Sequence, residues 1–301
     1  MCGIAGVLYR DIGNIPQPVG AALMTLAGCL QHRGADSAGI AVFSANPTGM
    51  QSFQVVLPPG MALPEPQVIL AIGGNVLCDL RPERGGFAVS RRSGVSLSDT
   101  ALIAALEEAL PGAVVTAMGH SLQIYKAVGE ASVLKEEVTP LVGTHGIAHL
   151  RLATESKIDP AHAQPFWGRP FPDIAVTHNG HITNYHKMRQ RFEARGFTFA
   201  SHNDSEIIGT YLGDKMSTGL TLEQALAAAG NDLDGSFSFI VATTAGLGVL
   251  RDPFATKPLL FCETDTLVAL ASEQQALHHL LGEDIVIREI KPREVRVWAK
   301  D

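Results

Sequence analysis

The chain has 301 residues, of which 46% are hydrophobic and 18% are charged, and its formal net charge is −7. This is the composition of a globular protein that is long enough for one large domain or two small ones. The sequence has no basic run that would predict nucleic-acid binding, and no apolar stretch near the roughly 20 residues that span a membrane. The N-terminus shows no secretory pattern, so we expect a cytoplasmic protein.

The cysteines and histidines form no pattern that is typical of metal binding. The four cysteines are scattered without a C-x-x-C pair, which argues against a zinc ribbon and against a disulfide framework. His145 and His149 are four residues apart, but their glycine-containing segment alternates like a strand. We therefore predict no metal site.

The first predicted elements are two short buried strands, at residues 2–9 and 38–43. The apolar segment Val19–Gln31 lies between them with helical spacing. From about residue 46 to residue 66 the chain is rich in Pro, Gly and Gln and has no clear period, so it is predicted to be a linker or an excursion.

Residues 67–140 resemble a small α/β segment with no assignable chemical role. Val68–Ile72 is predicted to be a strand, and Asp99–Leu110 has the pattern of an amphipathic helix. Ala113–Met118 and Leu122–Lys126 are predicted to be paired strands.

The second half alternates strands and helices without a phosphate-binding loop. The predicted elements are strands at 146–151 and 174–178, helices at 185–195, 204–215 and 221–230, and four short strands between 236 and 271. Asn184 and Thr221 are candidate N-caps. The last four strands are separated by turn residues, as in an antiparallel meander. The pattern predicts a sheet-rich α+β domain covered by helices.

The strongest candidate for a catalytic residue is Cys2. If Met1 is removed, the mature chain begins with a thiol and a free α-amine on the same residue. A thiolate is a strong nucleophile, and an α-amine with a reference pKa of about 7.7–8.0 can act as a general base near neutral pH. An N-terminal amine that activates its own side chain is a known nucleophile arrangement.

Five further segments contain the polar groups that amide cleavage requires. They are Gln31–Gly34, Arg151–Thr154, His178–Gly180, Asn203–Glu206 and Arg251–Pro253. Each could be purely structural when taken alone, as a turn, a helix cap or a surface ion pair.

Taken together after Met-Cys-Gly, these segments give a specific signal. The chain resembles the glutaminase domain of the class II, N-terminal-nucleophile glutamine amidotransferases. The matching motifs are MCGIAG, LQHRGADSAGIAV, GIAHLRLATES, VTHNGHITN, NDSEII, DGSFSFIV, RDPFATKPLLF and ASEQQAL. The run Ala163–Phe166 is more similar to glutamate synthase than to amidophosphoribosyltransferase. The family often has glycine where this chain has Ala255.

The resemblance implies a four-layer α-β-β-α sandwich with mostly antiparallel sheets. It implies one glutaminase domain over residues 1–301, with an unassigned excursion at about 46–142. Cys2 would attack the glutamine side-chain amide, form a thioester and release ammonia. The Asn179 side chain and the Gly180 backbone N–H would stabilise the oxyanion, where losing one donor typically costs about 3–4 kcal/mol.

The resemblance also implies how the charged end of glutamine binds. Arg151 would hold the α-carboxylate with help from Thr154, because a guanidinium binds a carboxylate in a bidentate way. Asp204 would hold the α-ammonium, and Arg33 would border Cys2. The segment from about Glu155 to Trp167 is a candidate lid.

No cofactor is expected in this chain. After Leu277 only 24 residues remain, and the chain has no P-loop and no dinucleotide-binding motif. We therefore expect glutamine as the substrate and separate synthase subunits as ammonia acceptors, of glutamate-synthase-like or N-methylglutamate-synthase-like type. Those partners would carry flavin and an iron–sulfur cluster.

Three alternatives remain open. The chain could be a stand-alone glutaminase or another N-terminal-nucleophile amide hydrolase. It could be the glutaminase subunit for nucleotide or amino-sugar synthesis, or a regulatory module without catalytic activity.

Overall fold

The computed structural model describes residues 2–10, 13, 15, 17–44, 49–72, 77–92, 97–153 and 158–300, except the side chains of Cys78 and Asp79. In these ranges the helices are α1 (Val19–Cys29), α2 (Pro66–Ile72), α3 (Asp99–Ala109), α4 (Lys135–Val138), α5 (Tyr185–Glu193), α6 (Ser205–Ser217), α7 (Leu222–Asp232) and α8 (Gln274–Leu281). No described helix is both long enough and apolar enough to cross a membrane.

Sixteen strands occur in the same ranges. The first eight are β1 (Gly3–Tyr9), β2 (Ser37–Phe43), β3 (Gln51–Val56), β4 (Leu77–Glu83), β5 (Gly86–Arg91), β6 (Val114–Gly119), β7 (Leu122–Val128) and β8 (His145–Arg151). The others are β9 (Phe166–Trp167), β10 (Ile174–Ile182), β11 (Gly235–Thr243), β12 (Gly246–Arg251), β13 (Leu260–Glu263), β14 (Leu267–Ala271), β15 (Ile287–Glu289) and β16 (Val295–Ala299).

Two large antiparallel sheets pack face to face. The strand order is β15-β13-β14-β1-β8-β2-β7 in the seven-stranded sheet and β16-β12-β11-β10-β9 in the five-stranded sheet. β1 lies between β14 and β8, so both of its edges are paired. The start of the chain is therefore held at the centre of a sheet.

Alternating side chains build the layers. The inner faces of the two sheets share one apolar core, to which Ile4, Ile147 and Ile240 contribute. Helices α1 and α8 cover the outer face of the seven-stranded sheet, and α5, α6 and α7 cover that of the five-stranded sheet. The predicted four-layer α-β-β-α order and its antiparallel sheets are confirmed.

The region predicted as an excursion forms a third sheet of order β4-β5-β3-β6, with α2 and α3 beside it. The predicted strand Val68–Ile72 is wrong, because this segment belongs to helix α2. A short apolar run fits either period, and Pro66 suits the first turn of a helix. The predicted pairing of the next two strands is also wrong, since β6 pairs with β3 and β7 pairs with β2.

Two further predictions need correction, and one is confirmed. The β11–β12 and β13–β14 hairpins lie in different sheets, so the last strands do not form one meander. Asn184 makes no capping hydrogen bond, because its side chain bonds to the Asp232 carbonyl and the Asp234 N–H instead. Thr221 does cap α7, in a capping box with Gln224.

Two buried side chains of the sandwich, Arg169 and Asp173, make polar contacts with the third sheet and its neighbouring turn. Arg169 forms a bidentate ion pair with Glu107 of α3, at 2.8 and 2.7 Å. Asp173 accepts hydrogen bonds at 2.8–2.9 Å from three successive backbone N–H groups in the β6–β7 turn, those of residues 120–122. Asp173 also has a positive φ of 55°, which asparagine and aspartate tolerate better than most residues.

We expect Asp173→Ala to lower the free energy of unfolding by about 3 kcal/mol or more, because it removes the acceptor of three backbone N–H groups, of which that of Leu122 is buried. Asp173→Asn keeps one acceptor oxygen and should lose about half as much. Urea denaturation measures both, with the exposed Asp284→Ala as the control. A loss below about 1 kcal/mol for Asp173→Ala would contradict the assigned role of this turn contact.

Candidate active site

A cleft of about 690 Å³ opens at the end of the sandwich where β1 begins. Strand β1 brings Cys2 to it, β8 brings Arg151, and β10 brings Gly180. Asp204, which directly precedes α6, lines the same cleft. Residues that are far apart in sequence therefore lie close together, because each of the four elements that carry them has one of its two ends at this opening.

The backbone of Cys2 is held by two side chains. Arg33 Nε and Asn179 Nδ2 each donate a hydrogen bond to the Cys2 carbonyl oxygen at 3.0 Å. Asn179 Nδ2 also lies 3.4 Å from Ser272 Oγ, and that hydroxyl accepts a hydrogen bond from the Ile4 N–H at 2.8 Å. The first residues of β1 are thus fixed from three directions.

The sulfur of Cys2 lies against the loop that follows β8. The Leu152 N–H donates to Cys2 Sγ at 3.4 Å, and the Leu152 carbonyl oxygen lies 3.7 Å away. Asp36 holds this loop, since its carboxylate accepts from the Ala153 N–H at 2.7 Å and its own N–H donates to the Arg151 carbonyl. An anionic sulfur would strengthen the contact with the Leu152 N–H.

Arg33 is itself held by Glu273. Its Nη1 donates to the Glu273 carboxylate at 2.5 Å, and His32 Nε2 lies 3.1 Å from the same group. Burial raises the pKa of Glu273, but the hydrogen bonds from Arg33 and His32 outweigh this and keep the pKa below its ordinary value. Glu273 is therefore a carboxylate at neutral pH, and it anchors the cation that holds Cys2.

Strand β10 requires glycine at position 180. Gly180 has a φ of 124°, and a Cβ there would lie 1.9 Å from the Ser236 carbonyl oxygen. The preceding backbone is fixed by Gln164, which accepts from the His178 N–H at 2.6 Å and donates to the His178 carbonyl at 3.1 Å. The end of β10 is therefore rigidly positioned beside Cys2.

Asp204 is positioned by the neighbouring strand and helix. Its Oδ2 accepts from the Ile182 N–H at 2.7 Å, and its Oδ1 lies 4.0 Å from His178 Nδ1. His178 Nδ1 also lies 2.8 Å from Ser205 Oγ. Burial lowers the pKa of His178, so its ring is neutral. Asp204 itself lines the cleft.

The structure brings most of the predicted site residues together. Cys2, Arg151, Gly180 and Asp204 line one cleft, and Asn179 is buried directly behind Cys2. Arg33 is not among the residues that line the cleft, and its side chain donates to the Cys2 carbonyl oxygen and to Glu273. Thr154 lies outside the described residues. The roles of all these residues toward glutamine stay predictions.

Five residues of the site were not predicted from the sequence, namely Asp36, Leu152, Gln164, Ser272 and Glu273. Leu152 contacts the sulfur through its backbone, which no side-chain pattern reveals. Gln164 and Ser272 lie inside the matched motifs AQPF and ASEQQAL, and this was the one signal that could have identified them. The proposed lid is wrong for its last part, because Phe166–Trp167 is the buried strand β9. Residues 155–157 of that segment lie outside the described residues.

The loop after β12 is structural, as its sequence suggested. The buried carboxylate of Asp252 accepts from the backbone N–H groups of Phe237, Phe254 and Ala255 at 2.7–3.1 Å. Ala255 has a positive φ of 50°, which explains why glycine suits this position in the resembled family.

Across the described part of the chain, no group of three or more His, Cys, Asp or Glu is placed to hold a metal.

Comparison with solved structures defines the class of fold. The chain superposes on glutamine phosphoribosylpyrophosphate amidotransferase from B. subtilis with a TM-score of 0.61 at 19% identity, covering 97% of this chain and 46% of the other. A second structure, described as the allosteric regulatory enzyme of purine biosynthesis, gives 0.60 at 20% identity, with 97% and 45% covered. The fold is that of the N-terminal-nucleophile hydrolases.

Sequence comparisons agree with the fold. A family model described as a glutamine amidotransferase domain matches residues 149–279. A Methanothermobacter thermautotrophicus protein classed as a glutamine amidotransferase is 35% identical, with 99% of both chains covered. The glutamine amidotransferase-like protein GlxB of Rhizobium meliloti is 32% identical, with 99% of this chain and 98% of GlxB covered. The chain therefore belongs to the glutamine amidotransferase family and is an enzyme, as its motifs predicted.

Replacing Glu273 by Gln should remove the pH dependence that its carboxylate gives to stability. Because the folded-state pKa lies below the ordinary 4.5, the ion pair stabilises the protein above that pH and is lost as the pH falls through the lowered pKa. The partly exposed pair is worth at most about 1 kcal/mol. Unfolding midpoints between about pH 5 and pH 3 should therefore fall less steeply in Glu273→Gln than in the wild type.

The matched control is Glu136→Gln, at an exposed carboxylate in the first turn of the short helix α4. This variant should keep the wild-type slope. Parallel curves for the wild type and Glu273→Gln would show that the carboxylate does not hold Arg33 in solution.

Proposed function

We propose that this enzyme hydrolyses glutamine to glutamate and ammonia through a thioester on Cys2, and that it passes the ammonia to a synthase partner. One observation carries the first part of the proposal. Cys2 Sγ lies in a cleft whose lining includes a guanidinium, Arg151, and a carboxylate, Asp204. A free amino acid has the complementary charges on its α-carboxylate and α-ammonium groups.

The reaction begins when the thiol of the processed first residue attacks the carboxamide carbon. The α-amine of Cys2 takes the thiol proton and returns it to the leaving nitrogen, so the C–N bond breaks and ammonia leaves. Water then attacks the thioester carbon, releases glutamate and restores the thiol. This route requires removal of Met1, since a peptide nitrogen cannot accept the proton.

The tetrahedral intermediate carries negative charge that the end of β10 can stabilise. The Asn179 amide has two N–H groups, of which one holds the Cys2 carbonyl. The other makes only the longer contact of 3.4 Å with Ser272, so it is available to donate to the oxyanion together with the Gly180 N–H. A donor placed in this way typically lowers the barrier by about 3–4 kcal/mol.

The remaining predicted residues complete the binding of glutamine. Arg151, with Thr154 beside it in sequence, would hold the α-carboxylate, and Asp204 would hold the α-ammonium. Arg33 would act mainly by holding the Cys2 carbonyl that it already contacts.

The synthase partner is supported by the lengths of the relatives. The amidophosphoribosyltransferase of M. thermautotrophicus is 33% identical over 53% of this chain, and the match covers 34% of its own length. The glutamine–fructose-6-phosphate aminotransferase of Shigella flexneri is matched over 31% of its length. The names of these two relatives indicate the molecule that receives the nitrogen. The names of the two relatives that are matched end to end mention only the amidotransferase. We propose a partner of glutamate-synthase-like or N-methylglutamate-synthase-like type, with flavin and an iron–sulfur cluster in that partner.

Cys2→Ser should lower ammonia release from glutamine by at least about a hundredfold, because a hydroxyl is a much weaker nucleophile than a thiolate. Mass spectrometry should show that the active chain begins at Cys2 and that a glutamine-like electrophile labels this residue. Cys29→Ser, at the end of α1, is the matched control and should keep wild-type turnover. Labelling of Cys29 or Cys262, or full turnover with Met1 still attached, would overturn the mechanism.

The partner proposal is tested by isolating the protein with its native neighbours. We expect it to co-purify with a subunit that shows flavin and iron–sulfur absorbance. Glutamine hydrolysis should rise when that subunit and its acceptor are added, and the aminated product should form only in the complex. Formation of an aminated product by the isolated chain would refute the need for a partner. Rapid hydrolysis that no partner stimulates would favour a stand-alone glutaminase.

A further inference from the structure

The layer between the two large sheets changes character along the strands. Far from the cleft it is apolar, with Leu8, Ala41 and Ile147 in one continuous core. Side chains on a strand alternate between faces, so residues two positions apart share the inner face. Continuing this alternation toward the cleft places buried polar side chains on five elements, at Ser37, His149, Thr177, Asn179, Ser238 and Ser272, beside the half-buried Cys2.

Five of these side chains have polar atoms without a hydrogen-bond partner in the described part of the chain. The atoms are Ser37 Oγ, both ring nitrogens of His149, Thr177 Oγ1, Asn179 Oδ1 and Ser238 Oγ. All five residues are at least nine-tenths buried. Buried hydroxyls, amides and rings carry a large penalty when unpaired, so native proteins satisfy them with protein groups or with buried water.

The five side chains lie on two facing surfaces. Asn179 of β10 is directly opposite Ser238 of β11, which places their Cβ atoms about 4.5–5.5 Å apart. Thr177 is two residues before Asn179 on the same face. From the other sheet, His149 of β8 lies close to the His178 backbone, so it reaches across the layer. Ser37 is opposite Arg151 in that sheet.

We propose that this polar end of the inter-sheet layer binds buried water, and that the water held by Thr177 and Ser238 donates to Asn179 Oδ1 and keeps the Asn179 amide turned toward Cys2. Thr177 and Ser238 are then positioning residues. A buried water typically makes about three hydrogen bonds, and this cluster offers hydroxyl, imidazole and amide partners.

The chemistry of the cluster suits water. Burial lowers the pKa of His149 to about 3, so its ring is neutral at working pH and offers one donor and one acceptor. The charges of Arg151 on the same strand and Lys126 on β7 lower this pKa further. Serine and threonine hydroxyls can both donate and accept. A neutral molecule that both donates and accepts hydrogen bonds would therefore suit these neutral groups.

The inference rests on the proposed role of Asn179 in stabilising the oxyanion. That role needs Nδ2 on the cysteine side of the amide, where it already contacts the Cys2 carbonyl. No described protein group donates to Oδ1 on the opposite side. Without a donor there, the amide could rotate and present its oxygen to the oxyanion. A water that is held by Thr177 and Ser238 and donates a hydrogen bond to Oδ1 opposes that rotation.

The test compares Thr177→Val, which keeps the shape and removes the hydroxyl, with Thr177→Ser, which keeps the hydroxyl. We expect Thr177→Val and Ser238→Ala to lower kcat for glutamine hydrolysis about tenfold with KM unchanged, a fraction of the effect of losing an oxyanion donor. Thr177→Ser should stay within about twofold of the wild type. Thr116→Val, at a buried threonine of the third sheet, is the folding control.

A double-mutant cycle separates positioning from general damage. In an Asn179→Ala background, Thr177→Val should change kcat by less than about twofold, because the amide it positions is gone. An equal loss in both backgrounds would overturn the inference. So would a crystal structure in which a protein group, and no water, bonds to Asn179 Oδ1. Full hydrolysis by Cys2→Ser would instead refute the proposed function, and the crystallographic result would still decide the water site.

Discussion

The site depends on holding the first residue of a chain in one place. Chain termini are usually poorly ordered unless they are tied down. Here β1 is paired on both edges, and two side chains donate to the Cys2 carbonyl. One of these, Arg33, is anchored by Glu273 at the start of α8, and the other, Asn179, belongs to the facing sheet. Both layers of the sandwich must therefore be assembled before the sulfur has a defined position.

The period-two alternation of strands explains how one layer can serve as both core and site. The same inner-face positions that carry isoleucine and leucine at one end carry serine, histidine, threonine and asparagine at the other. Packing at the apolar end supplies stability, because it buries most of the apolar surface. The polar end lies directly behind the cleft, where donors and acceptors can be held without side-chain mobility.

The sequence predicted the candidate catalytic and binding residues better than it predicted the contacts between them. Cys2, Arg151, Gly180 and Asp204 could be identified because each sits in a short motif, and the structure places them in one cleft. The four-layer order followed from the same resemblance. Strand pairing could not be predicted for β6 and β7, because adjacent strands can join different sheets and the choice depends on long-range packing. The strand prediction for Val68–Ile72 was wrong for a different reason. A short apolar run has no period that distinguishes a strand from a helix.

The third sheet supports the site rather than standing apart from it. Residues 164–173 form the connection: Arg169 pairs with Glu107 of α3, Asp173 accepts from the β6–β7 turn, and Gln164 brackets the His178 backbone. Asn179 and Gly180 follow on the same strand that Asp173 precedes. The third sheet is therefore connected with β10 through three buried side chains, those of Arg169, Asp173 and Gln164. The third sheet, which is inserted between β2 and β7, thus helps to hold the strand that would stabilise the oxyanion, although none of its described residues lines the cleft.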